Sequence, residues 1–201
     1  MKTLILTTAI VLASVLGLSQ SGYAATLDKD DVTTISEVTR INKIEVHGNV
    51  QLFISDGTAD QVKVYNHYYS ESALVQNKNG VLCISSYKTQ KLVVWVTVTD
   101  LRDLSVYDNA EVNSFGKLSA IDLDVKLFNN STAHLNLDAY EATIVLNDRA
   151  KADISGDIYE GELEHDRSSS LNTTNLAATH LVEKTNADRH QADAKNEFAI
   201  L

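Results

Sequence analysis

A chain of 201 residues with a formal net charge of −10, one cysteine and no proline excludes several classes of protein. A single cysteine cannot close an intramolecular disulfide, so core packing and backbone ladders must hold the fold. The negative balance repels nucleic acid and anionic membranes, whereas neutral glycans, cationic partners and divalent ions stay compatible with it.

The first residues read as an export signal. Lys2 gives a short positive start, residues 4–18 are apolar apart from small hydroxyl side chains, and Gly22-Tyr23-Ala24 places small residues where a signal peptidase reads them. The apolar run is too short for a membrane span. The expectation is cleavage after Ala24, no transmembrane anchor in the mature chain, and a destination in the periplasm or outside the cell. Cys83 lies far beyond the cleavage point, which argues against a lipoprotein. Residues 25–40, with Asp28, Asp30 and Asp31, read as a flexible lead-in, and residues 41–201 as a single domain, since no linker composition divides them.

From Ile41 onward nearly everything reads as strand. Ile44, Val46, Val50, Leu52 and Ile54 alternate around His47-Gly48-Asn49. Asp56-Gly57 marks a turn, and Asn79-Gly80 is a strong hairpin signal. In residues 91–99, Leu92, Val94, Val96 and Val98 share one face. Cys83, in the apolar run Val81-Leu82-Cys83-Ile84, reads as a buried small hydrophobe. Residues 191–197 support at most one turn of helix. Tyr65, Tyr68, Tyr69, Tyr87 and Trp95 gather in the first half of the mature chain. Flat aromatic faces on a rigid β surface suit sugar rings or peptide side chains, so these five are candidate ligand-binding residues. The same residue types also pack over neighbouring strands in ordinary sheets.

The second half repeats one short pattern about every 20 residues. Its copies are Tyr107-Asp108-Asn109-Ala110, Phe128-Asn129-Asn130-Ser131, Asn147-Asp148-Arg149-Ala150, His165-Asp166-Arg167-Ser168 and Ala187-Asp188-Arg189-His190. With the Asp or Asn as anchor, the steps are 21, 19, 18 and 22 residues. A fixed period of this length with strand-like alternation inside it is the signature of a solenoid. The expected fold is therefore all-β: a right-handed parallel β-helix or solenoid of about 20-residue coils, clearest over 104–190, with hairpin-like strands in the N-terminal part. In the last copies Glu162 and Glu164, then Lys184 and Asn186, stand where earlier coils carry Leu, Val or Ile. Either the register drifts by one residue, turning Leu163 inward, or the solenoid thins toward its end.

The stretch Ile44-Glu45-Val46-His47-Gly48-Asn49-Val50-Gln51-Leu52-Phe53-Ile54 resembles the opening motif of the head GIN domain family of auto-transporter adhesins. The order that follows is similar too: Val62-Lys63-Val64, Asn79-Gly80-Val81-Leu82-Cys83-Ile84, Val94-Trp95-Val96-Thr97-Val98, then Leu101-Arg102-Asp103-Leu104-Ser105-Val106. The resemblance covers roughly 41–190 and implies an exported β-solenoid, with a surface or binding role. Where that family carries Gly at the corner, this chain has Asn109, Asn130 and Arg149; Asn tolerates a left-handed backbone and Arg does so less readily.

Coils one strand spacing apart, about 4.8 Å, would set Asp108, Asn129, Asp148, Asp166 and Asp188 in a vertical file. Bare carboxylates at that distance repel by roughly 1 kcal/mol in water, and Arg149, Arg167 and Arg189 are placed to offset this as a structural corner ladder. The Gly-rich nonapeptide of calcium-binding β-rolls is absent, so neither metal nor cofactor is expected. His165-Asp166-Arg167 and Asp188-Arg189-His190 supply residue types used by polysaccharide-acting β-helix enzymes. Neighbours on a strand face opposite sides, however, and the regular spacing leaves no long loops to wall a cleft. The expectation is a noncatalytic adhesin-like or envelope-associated protein that binds a glycan or an envelope protein. A polysaccharide-acting enzyme and a purely structural envelope protein are the alternatives. No pattern fixes the oligomeric state.

Overall fold

Alternation of apolar and polar residues along the chain becomes alternation of burial in the computed structural model, which describes residues 32–35, 40–65 and 73–186. The export signal, most of the lead-in, Tyr68, Tyr69, Asp188, Arg189 and the helical turn expected over 191–197 lie outside the described residues. Among those described no helix is present. In chain order the strands are β1 (Val32–Ile35), β2 (Lys43–Gly48), β3 (Val50–Asp56), β4 (Gln61–Tyr65), β5 (Ala73–Lys78) and β6 (Val81–Ser86). They continue with β7 (Leu92–Val98), β8 (Asp103–Val106), β9 (Glu111–Ser114), β10 (Leu118–Leu127), β11 (Thr132–Leu146), β12 (Lys151–Asp166) and β13 (Ser170–Asn186).

The sheet is mixed, which corrects the expectation of a wholly parallel helix. β1–β4, β4–β7 and β5–β6 are antiparallel, and the other pairings are parallel. Asn79 and Gly80, at φ of 53° and 84°, make the tight hairpin between β5 and β6. Two successive positive φ values match the right-handed twist of a hairpin. Asp56-Gly57 makes no such hairpin. β7 pairs with β3 on one side and β4 on the other, so the two strands flanking that turn are not partners. The early rungs are also out of chain order, because β2 lies between β6 and β8 and β3 lies between β7 and β9.

From β10 onward each strand lies parallel on the strand one circuit earlier. Leu104 pairs with Val125, Val125 with Ile144 and Ile144 with Leu163, while Leu82 and Ile44 extend the same file in the other direction. All six are buried. A second inward file runs Val94, Leu52, Val112, Ala133 and Ala152. Such files arise because parallel register puts like positions of successive circuits one above another, and burial of the apolar ones drives the stacking. Ile144 opposite Leu163 settles the later register: it drifts by one residue against the Asp/Asn anchor, so Leu163 points inward and Glu162 and Glu164 outward. A second irregularity between Asp153 and Ser155 shifts β13, whose Leu181 and Val182 are 43% and 53% exposed.

Candidate functional site

The corner after β8 recurs after β10 and β11, and its geometry follows from one backbone requirement. Asp108, Asn129 and Asp148 have φ of 63°, 62° and 63°. Short polar side chains tolerate this left-handed conformation best among residues with a Cβ. The left-handed position is thus the anchor itself and not Asn109, Asn130 or Arg149, so Arg149 carries no such strain. Gly48, at φ 82°, takes the equivalent place beside Asp108 on the neighbouring rung. Its N–H donates to Asp108 Oδ2 at 3.1 Å.

The anchors contact one another through the backbone. Asn129 N–H donates to Asp148 Oδ2 at 3.3 Å, and Asp148 N–H donates to Asp166 Oδ2. Arg149, placed by sequence to offset the anchor carboxylates, takes another partner. Arg149 Nε instead donates to Asn130 Oδ1 at 2.8 Å, and Asn130 Nδ2 reaches Asn109 Oδ1 at 3.3 Å, forming a second file. Arg167 is exposed. Backbone N–H groups therefore hold the carboxylates, which removes the need for a cation at each coil.

Asp166 departs from the other anchors. It ends β12 in register with Asn147, and its Oδ1 accepts the N–H groups of Ser168 at 3.0 Å and Ser169 at 2.8 Å. Burial disfavours its ionised form, but the hydrogen bonds from Ser168, Asp148 and Ser169 outweigh this and hold its carboxyl below the ordinary value. His165 contacts the Asp166 carbonyl through Nδ1 at 3.0 Å and Glu183 through Nε2 at 3.2 Å. Ser168 Oγ bonds directly to the Asp166 carboxylate at 3.0 Å rather than to this imidazole, whose Nε2 lies 3.4 Å from the Thr185 hydroxyl as well as beside Glu183. Among the described residues no group of three His, Cys, Asp or Glu side chains converges as metal ligands would.

The aromatic candidates separate. Trp95 faces outward between Phe53, ring centroids 5.0 Å apart, and Phe115, 5.3 Å apart. Tyr65 lies on the adjacent β4, opposite Val93 rather than Trp95. Tyr87, 74% exposed, belongs to the corner, where its hydroxyl donates to Asp108 Oδ2 at 3.2 Å. Cys83 is half-exposed on the outer face of β6 beside Glu45, not buried; desolvation, then the Glu45 charge, pushes its thiol up and away from reactivity.

Two aromatic stacks escaped the sequence reading. His47, Tyr107 and Phe128 stack with nearly parallel rings at 4.4 and 4.8 Å. Tyr140 and Tyr159 stack at 5.0 Å on another corner, and His180 tilts against Tyr159 at 5.6 Å. The parallel ladders skip Ile121, Tyr140 and Tyr159, because each strand bends there and two successive residues face out. Their common spacing was the available signal. Shallow depressions flank this ridge: Ala139, Ile158 and Ala178 floor one, and Ala142 and Gly161 floor the other.

The class these features define is an all-β scaffold that displays like side chains in files on its outer surface. The family model described as "Putative auto-transporter adhesin, head GIN domain" matches residues 40–188, and the chain belongs to that family. A putative adhesin from Parabacteroides distasonis is similar in structure, with a TM-score of 0.60, 16% identity and 78% of each chain covered. A putative lipid binding protein from the same organism has a TM-score of 0.58 at 7% identity, covering 77% of this chain and 78% of its own. Likeness at these identities shows the fold alone. Comparison with curated proteins gives no match.

Proposed function

We propose that this chain is an exported, noncatalytic, adhesin-like interaction protein whose outer surface engages a glycan or an envelope protein. The observation that carries the reading is Trp95, held on the outer face of the sheet between Phe53 and Phe115. Its ring stacks on Phe53 and tilts against Phe115, which restrains it before any ligand arrives, so less side-chain entropy is lost on binding. The parallel coils from β8 to β13 wind, in this reading, as a right-handed solenoid, the hand that parallel crossovers adopt almost without exception. The corner file of Asp108, Asn129, Asp148 and Asp166 is structural and keeps those coils in register. Family membership supports an adhesin-like role, and the signal-like start of the chain supports export.

A glycan array and an envelope-protein pull-down with the purified chain test this. Binding that falls at least tenfold in Trp95→Ala, with an unchanged circular dichroism spectrum, is the expected result. Shortening of a polysaccharide on incubation would instead establish the enzyme reading. Silence in both binding screens would leave a structural envelope role.

A further inference from the structure

We propose that the ridge of Ile121, Tyr140 and Tyr159 docks an extended, arginine- or lysine-bearing polypeptide segment. This rests on the reading of the chain as an interaction protein but uses a surface distinct from Trp95. The ridge is apolar and open: Ile121, Tyr140 and Tyr159 are 82%, 55% and 44% exposed, although the two tyrosines stack on each other. Parallel register makes them a continuous file across three coils, at about 4.8 Å per coil.

Charge decides the occupant. On one flank Asp138 stands in register with Asp157. On the other, Asp122 stands in register with Glu141 and Glu141 with Glu160. Like charges directly opposite one another in a sheet are destabilising. Lys117 pairs with Asp157 at 2.6 Å and so offsets the first flank, and on the second flank His180 stands in register with Glu160. Among the described residues no lysine, arginine or histidine forms a salt bridge with Glu141 or Glu160. An apolar ridge bordered on one flank by the acidic file of Asp122, Glu141 and Glu160 fits a ligand that carries cations on a flat, extended body. A guanidinium over a tyrosine face gains from the ring quadrupole, and its neighbours relieve the repulsion along the Glu141 flank. A neutral glycan would meet the rings but leave the paired carboxylates as they are. An anionic ligand would make them worse.

The probe is a fluorescein-labelled peptide of alternating arginine and valine, titrated into the purified full chain and followed by anisotropy. Two double variants separate the components: Tyr140→Ala with Tyr159→Ala keeps every charge, and Glu141→Gln with Glu160→Gln keeps the shape. Saturable binding that weakens about tenfold or more in each double variant, and weakens with added salt, is the expected result. Equal affinity in the tyrosine variant overturns the proposal, since nonspecific attraction to an acidic protein would not require the rings. So does a neutral oligosaccharide that competes for the ridge and is insensitive to the glutamine pair. Loss of array binding in Trp95→Ala with no peptide effect of the ridge variants would sink this inference while leaving the function above standing; the converse would do the opposite.

Discussion

Ser131 has 0% exposure beneath the corner, in register between Ala110 and Ala150, and its hydroxyl has no hydrogen-bond partner. An unsatisfied buried polar group costs about 1–3 kcal/mol, and both neighbouring coils fill the place with a methyl group. Ser131→Ala is therefore expected to stabilise by about 1 kcal/mol and raise the melting temperature by about 2–4 °C for a domain of this size. A lowered melting temperature would show that the hydroxyl is satisfied. Asp166 poses the opposite case, a carboxylate supplied with donors from Ser168, Asp148 and Ser169. Its folded pKa lies below the ordinary value of the unfolded chain. The stabilisation is thus complete above the ordinary value, near pH 4, and is lost as pH falls through the lower folded value. Urea midpoints measured from about pH 6 down to about pH 2 should fall on the acid side in the wild type. Asp166→Asn should start about 1 kcal/mol less stable at neutral pH and show a flatter acid limb.

Strand β12 depends on the absence of a side chain at one point. Gly156 has φ 100°, and a Cβ there would collide with the Leu137 carbonyl of the coil beneath. Gly116, at φ 82°, has nothing within 4 Å of the same position. Gly116→Ala should therefore cost about 1 kcal/mol of backbone strain, whereas Gly156→Ala should cost about 3 kcal/mol or prevent folding, because coil spacing must also open. Equal urea midpoints for the two variants would show that strain alone matters. How far the elements were legible follows from the same distinction between local and distant causes. Asp108, Asn129 and Asp148 were readable as a recurring corner from their spacing, but the left-handed position was expected one residue later, at Asn109, Asn130 and Arg149. Cys83 was readable as outward from Leu82 and Ile84, both inward, yet its apolar neighbourhood suggested burial instead. The insertion of β7 between β3 and β4 was not readable, since parallel pairing across some 40 residues leaves no turn chemistry to mark it. Tyr140 and Tyr159 carried the repeat spacing, but the anchor chosen was the corner Asp, and the ridge sits on a different bend.

At the scale of the whole molecule, the stack is unequal from one end to the other. β11 and β12 bury an inward residue at almost every second position, whereas β13 has none fully buried. Leu171 and Leu176 are only partly covered, and the shift between Asp153 and Ser155 leaves Glu183 opposite Leu163. In a stack where each coil contacts chiefly its neighbours, local opening energy follows the interface on both sides of a coil. β13 has a described partner on one side only, β12. Hydrogen exchange should accordingly show strong protection in β10–β12 and markedly faster exchange along β13, with Leu181 and Val182 among the first amides to open. Protection in β13 equal to that of β11 would require a further layer of chain over Leu181 and Val182, and the exposed apolar surface at that end would then be an interior one.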